Sequence, residues 1–124
     1  MEQQPFSLRA RARSFRYAWD GLKGLLATEH NSYIHLALTI TVVLLGCVFR
    51  VSPLEAAMIV FAIALVWMAE LFNTAIEKTA DLISKEKHPQ IKLIKDVAAA
   101  AVLIAAIAAA VVGCIVFIPK IILL

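Results

Sequence analysis

The chain has 124 residues, of which 62% are apolar and 17% charged, with a net charge of +3 and a mean hydropathy of +0.86. A soluble domain is about 45–50% apolar and about 25% charged, and a small globule cannot hide this excess because its surface-to-volume ratio is high. A soluble enzyme core, a disordered chain and a disulfide mini-protein are excluded, leaving a small all-α integral membrane protein organised as a single domain over residues 1–124.

Residues 7–27 come first in chain order. Leu8, Ala12, Phe15, Trp19, Leu22 and Leu26 recur at helical spacings, and Arg9, Arg13, Arg16, Asp20 and Lys23 form a parallel polar stripe. This pattern predicts an amphipathic helix in the membrane interface, weakened at Gly21 and Gly24. No isolated apolar core of signal length follows the charged start within 30 residues, so no cleavable signal peptide is expected.

Three stretches have the length and apolarity of a membrane span, which needs about 20 residues. They are residues 33–49, 54–78 and 95–118. Arg50-Val-Ser-Pro53 is a short turn that makes the first two an antiparallel hairpin. Residues 84–90, including Pro89, form a polar loop before the third. Lys and Arg crowd the N-terminal segment and the loop between the second and third spans, whereas the hairpin turn has only Arg50 and the C-terminus only Lys120. The positive-inside rule therefore places the N-terminus in the cytoplasm and the C-terminus outside. The positive charge suits anionic headgroups. A nucleic-acid partner is not expected, since no basic patch sits on a water-soluble fold.

The third span is rich in alanine: nine of the thirteen residues 98–110 are Ala. Small side chains let helices approach closely in lipid, and three spans make a thin bundle with much exposed apolar surface, so self-association is expected.

The acidic residues carry the chemistry. Glu70, Asn73, Glu77 and Asp81 fall within an arc of about 80° on one helix face. A carboxylate at mid-membrane costs at least ~2.5 kcal/mol, so it needs a partner, a cation or a task. A packing salt bridge to Lys78 or Lys95 would be the structural explanation. Against it, there are three acids and an amide where a pair needs one. Carboxylate and amide oxygens suit Mg²⁺, which takes one or two carboxylates plus substrate phosphates. Lys95-Asp96 opens the third span at the same depth, and Glu29 precedes the first. Acids from three segments and a lysine thus converge at the inner interface, a composition suited to a metal–nucleotide site. There is no P-loop and no Gly-rich kinase loop. His35 reads as a hydrogen-bonded packing residue, Cys47 and Cys114 as buried free thiols, and Trp19 as an interfacial anchor.

The segment Glu70-Leu-Phe-Asn-Thr-Ala-Ile-Glu77 followed by Asp81, the segment Lys95-Asp-Val-Ala-Ala-Ala-Ala-Val102, and Trp19-Asp-Gly-Leu22 with Thr28-Glu29 are collinear over about residues 14–118. In these the chain resembles the prokaryotic diacylglycerol kinase family, the small three-span lipid kinases that include undecaprenol kinase. The resemblance implies a homotrimeric, ATP-dependent lipid kinase of the bacterial cytoplasmic membrane, with sites built between neighbouring chains. It acts on a lipid alcohol, undecaprenol or diacylglycerol. The resemblance makes Glu70 the base for the lipid hydroxyl and makes Glu29 and Glu77 the ligands of the Mg²⁺ that accompanies ATP. It places Lys95 and Asp96 at the nucleotide, with Tyr17, Glu86, Lys87 and His88 near it. Asn73 supports the site and Ala99 lines the lipid path. The diacylglycerol-specific branch often has a basic residue at Ala10, here flanked by Arg9 and Arg11. Thr28-Glu-His-Asn-Ser-Tyr-Ile-His-Leu36 and His88-Pro89 look more like the undecaprenol branch. The rival reading is a small transporter that uses Glu70 as a proton or cation relay. It needs a relay acid near mid-membrane and no Lys-Asp pair at the edge. A structural subunit held by packing salt bridges would be indifferent to ATP and Mg²⁺.

Overall fold

The computed structural model describes residues 4–124. They form four helices in chain order: α1 (Leu8–Thr28), α2 (His30–Val48), α3 (Pro53–Ile83) and α4 (Pro89–Ile122). The helices α2, α3 and α4 are each long and apolar enough to cross a membrane.

Local signals set each boundary. Ser7 starts α1, its Oγ accepting from the Ala10 N–H at 3.3 Å, and the helix runs unbroken through Gly21 and Gly24. It ends where Glu29 turns extended, at φ −112° and ψ 112°. The next helix starts one residue later, and the Ser32 N–H donates to the Glu29 carbonyl at 3.1 Å. The expected gap between residues 27 and 33 is thus a one-residue break.

At the other end of α2, Arg50 takes the left-handed conformation (φ 51°). The Val51 N–H bonds the Gly46 carbonyl at 3.1 Å and the Arg50 N–H the Cys47 carbonyl at 3.3 Å, which is the Schellman arrangement with Arg where glycine is usual. Ser52 and Glu55 then form a reciprocal capping box behind Pro53 at the first turn of α3.

The two long helices outrun their expected limits. The third helix continues to Ile83 rather than residue 78, and the fourth begins at Pro89 rather than residue 95. Hydropathy marks where a span leaves lipid, whereas a helix persists until a cap stops it. Here Ser84 turns extended, and the His88 ring accepts the Gln90 N–H at 3.1 Å, with Pro89 filling the first helical position. At 1.5 Å per residue, α3 is about 46 Å long against a hydrocarbon layer of about 30 Å.

Packing is concentrated between α3 and α4, which run together, while α2 meets α3 over a shorter zone and α1 touches α2 and α3. The buried small residues Ala80, Ala98 and Ala105 mark where backbones come close. The core lies near the α2–α3 turn, where Ile59, Val116 and Phe117 pack with Val42, Leu45, Phe49 and Val112. Beside it, Lys120 pairs with Glu55 at 3.0 Å and ties α4 to α3. Most large apolar side chains point outward, among them Phe61, Phe72 and Ile104. Cys47 and Cys114 are exposed on the chain rather than buried as expected. A helical thiol at the rim of a thin bundle faces outward as readily as any small apolar group.

The close approach at Ala105, only 3% exposed, leaves no space for three more carbons. Ala105→Leu is expected to cost about 1–3 kcal/mol by overpacking, read as a lower unfolding temperature in detergent or bilayer. An unchanged temperature would mean slack in the α3–α4 contact.

Candidate functional site

One side of α3 carries Glu70, Asn73, Thr74, Glu77 and Asp81, with burial falling off towards Asp81. Glu70 and Thr74 are each 7% exposed, Asn73 and Glu77 are half-buried and Asp81 is exposed. Glu70 lies about 26 Å along the axis from Pro53, close to the far limit of a hydrocarbon layer about 30 Å thick.

Its partner is His35 of α2. The imidazole Nε2 lies 2.6 Å from Glu70 Oε1, with the two side chains 16% and 9% exposed. No further hydrogen bond engages Glu70 Oε2 among the described residues. The pair sits in a small polar network. The Trp67 indole N–H donates to Thr39 Oγ1 at 3.0 Å. Thr39 Oγ1 donates to the His35 carbonyl at 2.7 Å. The indole and imidazole meet edge-on at 6.4 Å. An isolated buried carboxylate is strongly disfavoured, so this pairing is what lets Glu70 remain in the apolar part of α3.

One to three turns further along α3 the partners change. The Asn73 amide donates to Glu77 Oε1 at 3.4 Å, while Asn73 Oδ1 is buried with no partner, an omission that costs about 1–3 kcal/mol unless something fills it. Lys78 reaches Glu29 at the α1–α2 break, at 3.7 Å. Lys95 of α4 bonds Asp81 at 2.6 Å. The two lysines expected as packing partners for the intramembrane acids therefore serve Glu29 and Asp81, and His35, read from the sequence as a packing residue, serves Glu70.

The remaining expected site residues lie around this cluster. Asp96 points back along α4 to Lys92, at 2.5 Å. Glu86, Lys87 and His88 are exposed in the α3–α4 loop, with His88 acting as the α4 cap. Tyr17 is exposed on α1, and Ala99 is exposed beside buried Ala98. No hydrogen bond or ion pair joins Tyr17, Glu86 or Lys87 to the acidic residues of α3 among the described residues, and no group of three or more His, Cys, Asp or Glu side chains stands close enough to hold a metal.

An apolar cavity of about 290 Å³ opens beside the pair, between α2, α3 and α4. His35 and Thr39 form its polar end, and Val42, Ile63, Val66 and Ala106 are among its apolar walls. The imidazole that bonds the buried Glu70 carboxylate thus lines the polar end of an apolar recess, and further carboxylates and lysines lie along α3 and α4. This arrangement can take a proton from a hydroxyl carried on an apolar chain while anionic groups approach from the polar side.

A family model described as prokaryotic diacylglycerol kinase matches residues 16–117. A diacylglycerol kinase from Synechocystis is 40% identical over 101 residues, 81% of this chain and 58% of that protein. An undecaprenol kinase from Bacillus subtilis is 37% identical over 108 residues, 87% of this chain and 88% of its own. A diacylglycerol kinase from Escherichia coli is 31% identical over 99 residues, 80% and 81% of the two chains. The match spans somewhat over half of the Synechocystis relative and most of the other two.

The Lys95–Asp81 pair is 37% and 49% exposed, so solvent screens it. Asp81→Asn is expected to leave the thermal unfolding temperature near the parental value. A marked drop would make this pair a structural element of the bundle.

Proposed function

The chain belongs to the prokaryotic diacylglycerol kinase family and is a multi-pass membrane lipid kinase, and from that premise we propose its reaction. It transfers the γ-phosphate of ATP to the primary hydroxyl of undecaprenol or diacylglycerol, giving undecaprenyl phosphate or phosphatidic acid. The observation that carries this reading is the buried Glu70 bonded to His35, a residue that lines an apolar recess. Both lipids bring one hydroxyl on long apolar chains to the headgroup level.

Glu70 Oε2 takes the hydroxyl proton. The hydroxyl oxygen bonds the γ-phosphorus while the bond from that phosphorus to its bridging oxygen breaks, and that electron pair leaves on ADP. Little covalent chemistry is asked of the protein beyond alignment and charge neutralisation. Lys95 and Asp96 serve the nucleotide, with Tyr17, Glu86, Lys87 and His88 near it, and Ala99 faces the lipid. Glu29 and Glu77 would supply carboxylates to Mg²⁺, and the buried Asn73 Oδ1, without a partner among the described residues, supports a hard-oxygen site beside Glu77. Bound there with ATP, Mg²⁺ would offset phosphate charge. The lysines now on Glu29 and Asp81 hold exposed, weak pairs that phosphates can replace.

The working unit is a homotrimer with sites between chains. The apolar surface that one chain leaves exposed supports this, as does the outward position of Tyr17. Helix α1 lies amphipathically in the interface of the bacterial cytoplasmic membrane. The transporter reading has less support. Glu55 at one end of α3 is held by Lys120, and a relay through Glu70 gives no task to Glu77, Asp81 and the Lys95-Asp96 pair towards the other end.

Undecaprenol is accepted at least as well as diacylglycerol. The residues around Glu29 and His88 support this, as does a relative named undecaprenol kinase matched over most of both chains. The test is a radiolabelled-ATP assay on the purified chain with both lipids side by side, on the parent, Glu70→Gln and Glu77→Gln. Glu70→Gln should lose about 10²–10⁴-fold in turnover with Mg-ATP binding nearly intact. Glu77→Gln should bind Mg-ATP more weakly and recover partly at high Mg²⁺. Diacylglycerol turnover with undecaprenol at background would refute the lipid assignment, and an active Glu70→Gln would remove Glu70 as the base.

Orientation has its own check. A reporter fused after Leu124 should score as external. A cytoplasmic score would overturn the placement of three spans from an internal N-terminus.

A further inference from the structure

We propose that His35 is the positioning residue for Glu70. Its Nε2–H holds one carboxylate oxygen so that the other faces the lipid hydroxyl. This rests on the reading of Glu70 as the base. The two atoms stand 2.6 Å apart between largely buried side chains, and an ionised carboxylate only accepts, so the proton of this bond belongs to Nε2. The ring is itself held. The Trp67 indole packs edge-on against it, and that indole is fixed by Thr39 Oγ1, which in turn bonds the His35 carbonyl. A helix turn of α2 and one of α3 thus lock the imidazole, and the imidazole locks the carboxylate.

Location and chemistry both favour a role in the reaction over packing alone. His35 lines the apolar cavity, so the imidazole that holds Glu70 borders a space open to an apolar chain. No other donor reaches Glu70 among the described residues, because Lys78 and Lys95 are engaged by Glu29 and Asp81. An imidazole N–H makes a single directional bond and so orients the carboxylate. During transfer the hydroxyl proton goes to Oε2, and Nε2 keeps its own.

The test uses the full chain in bilayers, with ATP and either lipid, comparing the parent, His35→Leu, His35→Gln, Glu70→Gln and the double variant His35→Leu with Glu70→Gln. His35→Leu should lower kcat by ~10²-fold, the loss expected when a reacting group is misplaced, and leave the KM for ATP and for lipid near parental values. His35→Gln, whose amide N–H reaches the same region, should recover most of that rate. In the Glu70→Gln background, His35→Leu should lower the rate no further, because the two residues act as one unit. Parental kcat in His35→Leu, or a loss that adds to that of Glu70→Gln, overturns the positioning role while an inactive Glu70→Gln leaves the base reading standing. Substantial activity in Glu70→Gln overturns both. Ring ¹⁵N spectra of otherwise parental protein supply a readout independent of the His35 variants. The His35 Nε2–H signal should move markedly in Glu70→Gln, and an unchanged signal overturns the proposal.

Discussion

A carboxylate held in an apolar helix needs a hydrogen-bonding partner, and the rest of this structure follows from how Glu70 finds one. Lipid tails are as apolar as leucine, so helices in a bilayer gain little from burying apolar faces against each other. Their association depends on close packing and on interhelical hydrogen bonds worth about 0.6–2 kcal/mol each. The third and fourth helices meet along their length and can rely on small residues such as Ala98 and Ala105. The second helix meets the third over a shorter zone, so its register rests more heavily on His35–Glu70 and Thr39–Trp67. Two residues of these contacts, His35 and Thr39, also form the polar end of the cavity.

From Glu70 outward the pairs weaken in a physical order. Glu70 is buried on a ring nitrogen, Glu77 is half-buried on an amide, and Asp81 is exposed on an ammonium. Pairing is most consequential where solvent is excluded and least where water screens it. The innermost bond is therefore a fixture of the fold, whereas the outer lysines hold weak, solvent-screened pairs. Asn73 stands at the change between these regimes, and its buried Oδ1 has no hydrogen-bond partner among the described residues.

Much of this was legible in the residues. The three apolar runs, the hairpin turn at Arg50-Val-Ser-Pro53 and the acidic face of α3 are all present as read. The ends of α3 and α4 were not, because apolarity was used to set limits that caps decide. The signal was available in His88-Pro89, a cap followed by a proline at the first helical position, and was read as part of a loop. The partner of Glu70 was missed for a different reason. Lysines attract attention as counter-ions, and a lone histidine on a span is commonly a packing residue. Counting outward from the hairpin turn would have helped, since residues at similar distances from it meet across the two antiparallel helices. Thr39 meets Trp67, and one turn further out His35 meets Glu70. The pairing of Lys78 with Glu29 had no such signal. It depends on the one-residue break between α1 and α2, where no glycine or proline marks a stop.

The lengths of α3 and α4 acquire a reason from this. A span needs about 20 residues, yet these helices have 31 and 34. The extra turns carry Glu77 and Asp81 on one helix and Lys92, Lys95 and Asp96 on the other. Had the chain left helical structure at the membrane boundary, these side chains would sit on loops, whose geometry is looser and whose ordering carries an entropic cost. By continuing as helices, the chain places its water-facing charges on the same rigid rods that hold Glu70 in the apolar layer. Glu70 and the outer charged residues are thereby held at separations set by helix geometry. Phosphoryl transfer, the chemistry of a lipid kinase, depends mainly on alignment and benefits from that kind of support.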